Sequence, residues 1–199
     1  RSYAIKKVHY LSSIEDIEGD YLEFGVYTGS SFCHSIRCFR NSRKLASTGK
    51  SETRFIGFDS FEGFGEVMDG DEHSFYTDEN FSTSYDEVYK RVNLVSKGIN
   101  YKLVKGFFKD SLKDGPKSLG ISKSLIIFID SDTYSSASEA LLFCAETIQE
   151  GTFIILDDYY SYKGSRNKGV AKAFNELIKI KGLDVRKIIT YGMGGAVYI

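Results

Sequence analysis

The stretch Leu125-Ile-Ile-Phe-Ile-Asp-Ser-Asp-Thr-Tyr134 decides the fold. Its five apolar residues end abruptly in Asp130, and a second acid, Asp132, follows two positions later. The pattern recurs downstream, where Phe153-Ile-Ile-Leu156 runs into Asp157-Asp158. A short, uninterrupted apolar run reads as a strand buried on both faces, as in a parallel sheet held between helices. In such sheets ligands bind beyond the carboxyl ends of the strands. If the two runs lie near each other, Asp130, Asp132, Asp157 and Asp158 share one mouth, where mutual repulsion penalises their ionised forms. A hard divalent cation relieves that repulsion, and an all-oxygen ligand set suits Mg²⁺. The competing reading makes each acid a helix N-cap, whose carboxylate accepts backbone N–H bonds. That reading serves Asp130 alone equally well. It serves Asp-x-Asp and Asp-Asp less well, because each closes a buried strand.

Upstream, Tyr21-Leu-Glu-Phe24 reads as a first strand running into Gly25-Val-Tyr-Thr-Gly29-Ser-Ser31. Phe32, Ile36 and Phe39 then fall on one face of a helix. Glycine at both ends of the turn lets the backbone bend tightly and approach a ligand, and the helix start offers free N–H groups to an anion. A purely structural turn has the same signature. The spacing is Gly-x-x-x-Gly, not the dinucleotide fingerprint, so NAD is disfavoured. Arg54-Phe-Ile-Gly-Phe58 is a second strand, closed by Asp59. An acid there can accept two hydrogen bonds from a ribose diol, or cap a helix. A third strand, Tyr101-Lys-Leu-Val104, ends in Lys105-Gly106-Phe107-Phe108. Those two phenylalanines either wall a slot for a flat ring or pack in the core.

The remaining segments fill in the outline. Residues 1–18 read as a leading helix, from a weak period in Ala4, Val8 and Leu11. Residues 65–83 form a long acidic segment, either a solvated loop or a candidate lid. Ser84-Tyr-Asp-Glu87 and Ser136-Ala-Ser-Glu139 read as capping boxes. Behind the first, Tyr85, Val88, Tyr89 and Val92 read as core. Behind the second, a helix runs to Glu150-Gly151 with Cys144 on its buried face. The aromatic and basic turn Tyr159–Gly169 is a candidate for substrate contact. Val185–Thr190 and Ala196–Ile199 flank Gly192-Met-Gly-Gly195 as a terminal hairpin.

A chain of 199 residues accommodates one domain with a substantial core. Its 42% hydrophobic and 27% charged content is that of a soluble globular protein. A formal charge of −1 gives no reason to expect nucleic acid or an anionic membrane as partner. No apolar run is long enough to span a bilayer and no signal-peptide pattern is present, so a cytoplasmic location is expected. Cys33, Cys38 and Cys144 lack metal-ligand spacing and read as buried thiols of a reducing compartment. The histidines are scattered, which disfavours zinc. The chain opens on Arg1 rather than Met, which points to a processed or trimmed N-terminus. The sequence leaves a homo-oligomer open.

Alternating strands and helices with a terminal hairpin argue a doubly wound α/β sheet. That outline resembles class I S-adenosylmethionine-dependent methyltransferases, which implies a mostly parallel, seven-stranded, Rossmann-like sheet with a C-terminal antiparallel hairpin. The ordered set Glu23-Phe-Gly25-Val-Tyr-Thr-Gly29, Phe58-Asp59-Ser60-Phe61-Glu62-Gly63-Phe64, Gly106-Phe-Phe-Lys-Asp110, Ile129-Asp130-Ser-Asp132-Thr-Tyr134 and Asp157-Asp158-Tyr159 resembles the macrocin O-methyltransferase (TylF-like) family over nearly the whole chain. The resemblance implies Mg²⁺-dependent methylation, by S-adenosylmethionine, of a hydroxyl on a sugar or glycosylated small molecule. It implies Asp130, Asp157 and Asp158 as metal ligands and Asp132 as general base. It places Glu23, Gly25 and Gly29, with Val26, Tyr27, Thr28, Ser30 and Ser31 of the same turn, at the methionine end of the cofactor. Asp59 would bind the ribose with Ser60 and Phe61 beside it. Phe107 and Phe108 would flank the adenine next to Gly106, and Asp130 would reach the cofactor as well as the metal. The family commonly has proline after the Phe64 position, where this chain has Gly65. Two other functions fit parts of the pattern. A nucleotide-sugar glycosyltransferase would use Asp130-Ser-Asp132 for a metal and diphosphate, although the Gly25–Gly29 turn and the Asp157-Asp158 pair suit it less well. A non-catalytic S-adenosylmethionine-binding module would keep the pocket without a productive acceptor site.

Overall fold

Strand β1 (Asp20–Phe24) lies near the middle of a seven-stranded sheet in the computed structural model, which describes residues 1–46, 52–65, 68–76 and 81–199. The other strands are β2 (Phe55–Asp59), β3 (Tyr101–Lys105), β4 (Ser124–Ile129), β5 (Phe153–Leu156), β6 (Lys187–Tyr191) and β7 (Gly195–Tyr198), in the order β3-β2-β1-β4-β5-β7-β6. Strands β1 to β5 pair in parallel, and β7 runs antiparallel to both β5 and β6. The chain winds outward from β1 to β3 and then returns to β4 on the other side of β1. That reversal of strand order opens a crevice at the carboxyl ends of β1 and β4, where such sheets bind ligands.

Alternation along each strand sends side chains to two helical layers. Helices α1 (Ser2–Ile14), α2 (Ser30–Ser42) and α3 (Tyr85–Val95) cover one face. Ile5, Val8, Phe32, Ile36, Val88 and Val92 pack there on Tyr21, Phe55 and Phe128. On the other face are two short helices, α4 (Phe108–Ser111) and α5 (Gly115–Ser118), with the longer α6 (Tyr134–Cys144) and α7 (Gly169–Lys181). Ala137, Leu141, Phe174 and Leu177 pack there on Leu22, Phe24, Ile127 and Ile154. Every residue of β1, β4 and β5 is buried, which is why Leu125–Ile129 of β4 and Phe153–Leu156 of β5 read as continuous apolar runs, while β1 buries Asp20 and Glu23 among its apolar residues. Each large apolar side chain so buried contributes about 1.5–3 kcal/mol, so the central strands are held from both sides.

Local expectations shift at the helix ends. The leading helix stops at Ile14 rather than running to residue 18. Ser12 and Ser13 hydroxyls both donate to the carbonyl of His9, competing with the helical ladder, and Asp16 turns left-handed at φ 47. Ser84 caps α3 as expected, accepting from Glu87 N at 3.5 Å. Tyr89 faces solvent instead of the core, because α3 buries only Val88 and Val92. The cap of α6 is Thr133, whose hydroxyl accepts from Ser136 N, so Ser136 lies inside the first turn rather than before it. That helix also ends at Cys144, well before Glu150-Gly151, where Thr147 folds back to donate from both its N–H and hydroxyl to the Cys144 carbonyl. The three cysteines are buried and unpaired. Among the described residues no helix is long and apolar enough to cross a membrane. Residues 66–67 and 77–80 of the candidate lid lie outside the described residues.

Candidate active site

The site starts where β1 and β4 end side by side. Gly25 N donates to the Phe58 carbonyl at 2.9 Å and Asp130 N donates to the Phe24 carbonyl at 2.8 Å. A Cβ at Gly25 would lie 1.9 Å from the Asp130 carbonyl oxygen, and the backbone there has φ 94, so only glycine lets the two chains pass. The turn continues through left-handed Tyr27 to Gly29, which opens α2. The hydroxyls of Thr28 and Ser30 lie 3.0 Å apart. Beneath the turn Glu23 is fully buried. Ser31 Oγ donates to its Oε1 at 2.6 Å, and Tyr21, two residues back on the same face of β1, donates its hydroxyl to Oε2. Burial pushes the Glu23 carboxyl up to about 7, against the pull of those hydrogen bonds. His9 supports Tyr21 from α1, stacked on its ring and bonded through Nε2 to Ser35 Oγ at 2.6 Å.

Asp59 ties the β1 turn to the β2 turn. Its Oδ2 accepts from Tyr27 N at 2.7 Å and its Oδ1 from Phe61 N at 2.6 Å. Burial raises its pKa while those N–H groups oppose the rise. Ser60 Oγ donates to the Gly63 carbonyl at 2.7 Å and so shapes its own turn. Gly106 N donates to the Asp59 carbonyl at 3.0 Å. Val26 and Phe61 send their side chains into the core. Phe64, Phe81, Phe107 and Phe108 wall a cleft of about 550 Å³ that has Gly25 and Asp59 along one side and Asp130 and Asp132 along another. Ser131 Oγ, buried in that wall, has no hydrogen-bond partner among the described residues.

The acids of the two long apolar runs do converge. Asp157 N donates to the Ile129 carbonyl at 3.0 Å, which sets Asp157 beside Asp130. Asp130, Asp157 and Asp158 each offer a carboxylate oxygen within 4.8 Å of the others. Asp132 stands next to them in a left-handed conformation with φ 61 and lines the same cleft. Burial, then the charge of Asp157, pushes Asp130 well above the usual carboxylate range. Burial, then Asp158, pushes Asp132 up to about 9. Burial sets most of these shifts and repulsion among the clustered carboxylates adds to it, a part that a cation would relieve. The donor set is all oxygen and fits Mg²⁺. The half-buried Asp59 carboxylate at the tip of β2 fits the ribose of a nucleoside ligand.

Tyrosines and one arginine surround the acids. Tyr191 donates to Asp157 Oδ1 at 2.7 Å, and Tyr76 donates to Asp158 Oδ1 at 2.9 Å. Arg1 reaches Asp130 Oδ2 at 2.7 Å and Asp157 Oδ2 at 2.5 Å. The segment read as a lid is anchored here. Buried Asp71 accepts from Tyr134 N at 2.8 Å and Ser135 N at 3.0 Å, at the start of α6. Its carbonyl accepts from Tyr162 OH at 3.0 Å, and His73 stacks on Tyr76 with ring centroids 4.2 Å apart. The Tyr159–Gly169 turn thus contributes Ser161 and Tyr162, while its Lys163, Arg166 and Lys168 are exposed. Sequence reasoning missed Arg1 and Tyr191. The Tyr191 ring packs over Gly195, where a Cβ would lie 2.3 Å from it, a contact that only the folded hairpin reveals. Arg1 had no sequence signal.

The family model described as Macrocin-O-methyltransferase (TylF) matches residues 4–192. The 8-demethyl-8-(2,3-dimethoxy-alpha-L-rhamnosyl)-tetracenomycin-C 4'-O-methyltransferase of Streptomyces olivaceus is 28% identical over 155 residues, covering 73% of this chain and 54% of that protein. The Mycinamicin III 3''-O-methyltransferase of Micromonospora griseorubida is 25% identical over 160 residues, covering 74% and 58%. The chain therefore spans little more than half the length of these curated relatives. Among solved structures, the O-methyltransferase NovP superposes with a TM-score of 0.78 at 20% identity, covering 100% of this chain and 78% of that one. The calicheamicin methyltransferase CalS11 gives 0.76 at 16% identity, covering 98% and 77%. Both share its fold.

Proposed function

We propose that this chain, which belongs to the macrocin O-methyltransferase (TylF) family, transfers a methyl group from S-adenosylmethionine to a sugar hydroxyl of a glycosylated small molecule, with Mg²⁺ at the acid cluster. The observation that carries this reading is the meeting of Asp130, Asp157 and Asp158 beside the Gly25 crossing, at the switch point of the sheet. The two relatives named for methylating a rhamnosyl-tetracenomycin and mycinamicin III support a glycoside acceptor. The family match sets aside the glycosyltransferase alternative. The 199 residues act as one methyl-transfer domain, with the segment around Asp71 and Tyr76 closing over the site.

The residues divide the work. The turn from Gly25 to Ser31, over buried Glu23, receives the methionine end of the donor. Asp59 accepts from the backbone N–H groups of Tyr27 and Phe61, with Val26 N–H beside them, and its remaining lone-pair capacity accepts from the ribose. Phe107 and Phe108 stack against the adenine. Asp130, Asp157 and Asp158 hold the cation, which when bound lowers the pKa of a neighbouring acceptor hydroxyl. Asp132 removes that proton, its carboxyl being ionised once the cation offsets the neighbouring charges of Asp158 and Asp157 that help to hold it protonated. Holding acceptor oxygen and donor methyl in line can supply roughly 7–11 kcal/mol of the barrier reduction. Aromatic walls keep water from competing as the nucleophile.

Thermal unfolding with S-adenosylhomocysteine, followed by methyl-transfer assays on rhamnosylated acceptors with Mg²⁺ or with EDTA, tests this. Stabilisation by S-adenosylhomocysteine and EDTA-sensitive methylation are expected. No stabilisation would overturn the donor site, and undiminished turnover in EDTA would overturn the cation. Binding without transfer to any glycoside would favour the non-catalytic module.

A further inference from the structure

Arg1 lies 129 and 156 positions from its two partners in sequence, yet its guanidinium bridges Asp130 and Asp157. These are two of the three carboxylates that converge, and Tyr191 already donates to the other oxygen of Asp157. The guanidinium thus occupies lone pairs that a divalent ion would need. Two cations at one small cluster also repel each other strongly. Arg1 is free to leave, since its side chain is 45% exposed. It lines a second cavity with Gly25, Thr28, Ser30 and Ser31, and it is the only basic side chain among the described residues lining it. That is the turn assigned above to the methionine end of the donor. An amino-acid end brings both an ammonium and a carboxylate. The nearby acids can answer the ammonium, and the N–H groups at the start of α2 together with a cation can answer the carboxylate.

We propose that Arg1 is a two-position cation: it neutralises Asp130 and Asp157 until a divalent ion displaces it, and then holds the carboxylate of the donor's amino-acid end. This inference rests on the methyltransferase reading above. It makes metal and donor binding cooperative, because metal entry frees the group that grips the donor. By linkage each ligand tightens the other by the same factor, typically about 5–150-fold. Arg1 is not itself a catalytic residue in this scheme; it positions the donor and guards the cluster.

Isothermal titration of Mn²⁺ and of S-adenosylhomocysteine, separately and together, on wild type, Arg1→Ala and Arg1→Lys tests the proposal. In wild type, saturating Mn²⁺ should tighten S-adenosylhomocysteine binding by about fivefold or more. Arg1→Ala should bind Mn²⁺ alone more tightly than wild type, bind S-adenosylhomocysteine more weakly in Mn²⁺, and show a coupling factor near one. Arg1→Lys keeps a charge but loses the fork, so it should recover only part of the coupling. Unchanged Mn²⁺ affinity in Arg1→Ala, or coupling that survives the substitution, would overturn the proposal while leaving the methyltransferase reading intact. Failure of wild type to bind S-adenosylhomocysteine at all would remove both.

Discussion

Replacing Glu23 with glutamine should remove a large part of the pH dependence of stability. In the folded chain, burial lifts this carboxyl to about 7 from an ordinary 4.5. Between those values the folded chain keeps a proton that the unfolded chain has released, so stability falls as pH rises. The contribution is fully present below the unfolded pKa and is gone once pH exceeds the folded one. A gap of about 2.5 units corresponds to roughly 3 kcal/mol, of which about 2.5 kcal/mol is lost between about pH 5 and pH 8. Glutamine has no proton to release, so its curve should lack this slope. It also offers one carbonyl and one amide nitrogen to two hydroxyl donors, Ser31 and Tyr21, which should lower stability by about 1 kcal/mol at acid pH. Urea unfolding of both proteins across this range measures the difference between the two curves. Asp132 and His9 titrate in both proteins and cancel in that difference. Parallel curves would refute the assignment of a buried, proton-retaining carboxyl to Glu23.

Three further outcomes are expected. Asp132→Asn should lower kcat by about 10²–10⁴-fold while S-adenosylhomocysteine affinity by titration calorimetry stays near wild type; an unchanged kcat would remove Asp132 as the base. Gly25→Ala forces a Cβ to 1.9 Å from the Asp130 carbonyl at φ 94, so it should cost at least about 1–3 kcal/mol in thermal unfolding and abolish detectable donor binding. His9 is held down to about 3 by burial, from an ordinary 6.5, so its contribution is complete above the higher value and lost as pH falls toward the lower one. His9→Gln should therefore unfold at lower pH than wild type in an acid titration followed by circular dichroism, and a higher midpoint would contradict the burial argument.

The sequence by itself determined the elements whose signals are short-ranged. Runs such as Leu125–Ile129 and Phe153–Leu156 state their burial in consecutive residues, because a strand covered on both faces tolerates no polar alternation. Glycines at 25 and 29 announced a turn, and acids placed directly after two buried strands announced a cluster. Helix boundaries were less legible, since Thr133 and Ser136 both offer a capping hydroxyl and only the backbone path selects between them. What the tertiary structure alone decided is everything that crosses the sheet. Strand order puts β5 beside β4 and so sets Asp157 against Asp130. The hairpin inserts β7 and swings Tyr191 onto Asp157, the loop after β2 brings Tyr76 to Asp158, and α1 delivers Arg1 to both halves of the acid pair. It also turned Val26 and Phe61 inward. Such contacts join residues dozens to more than a hundred positions apart, and no local periodicity encodes a distance that exists only after the strands have paired.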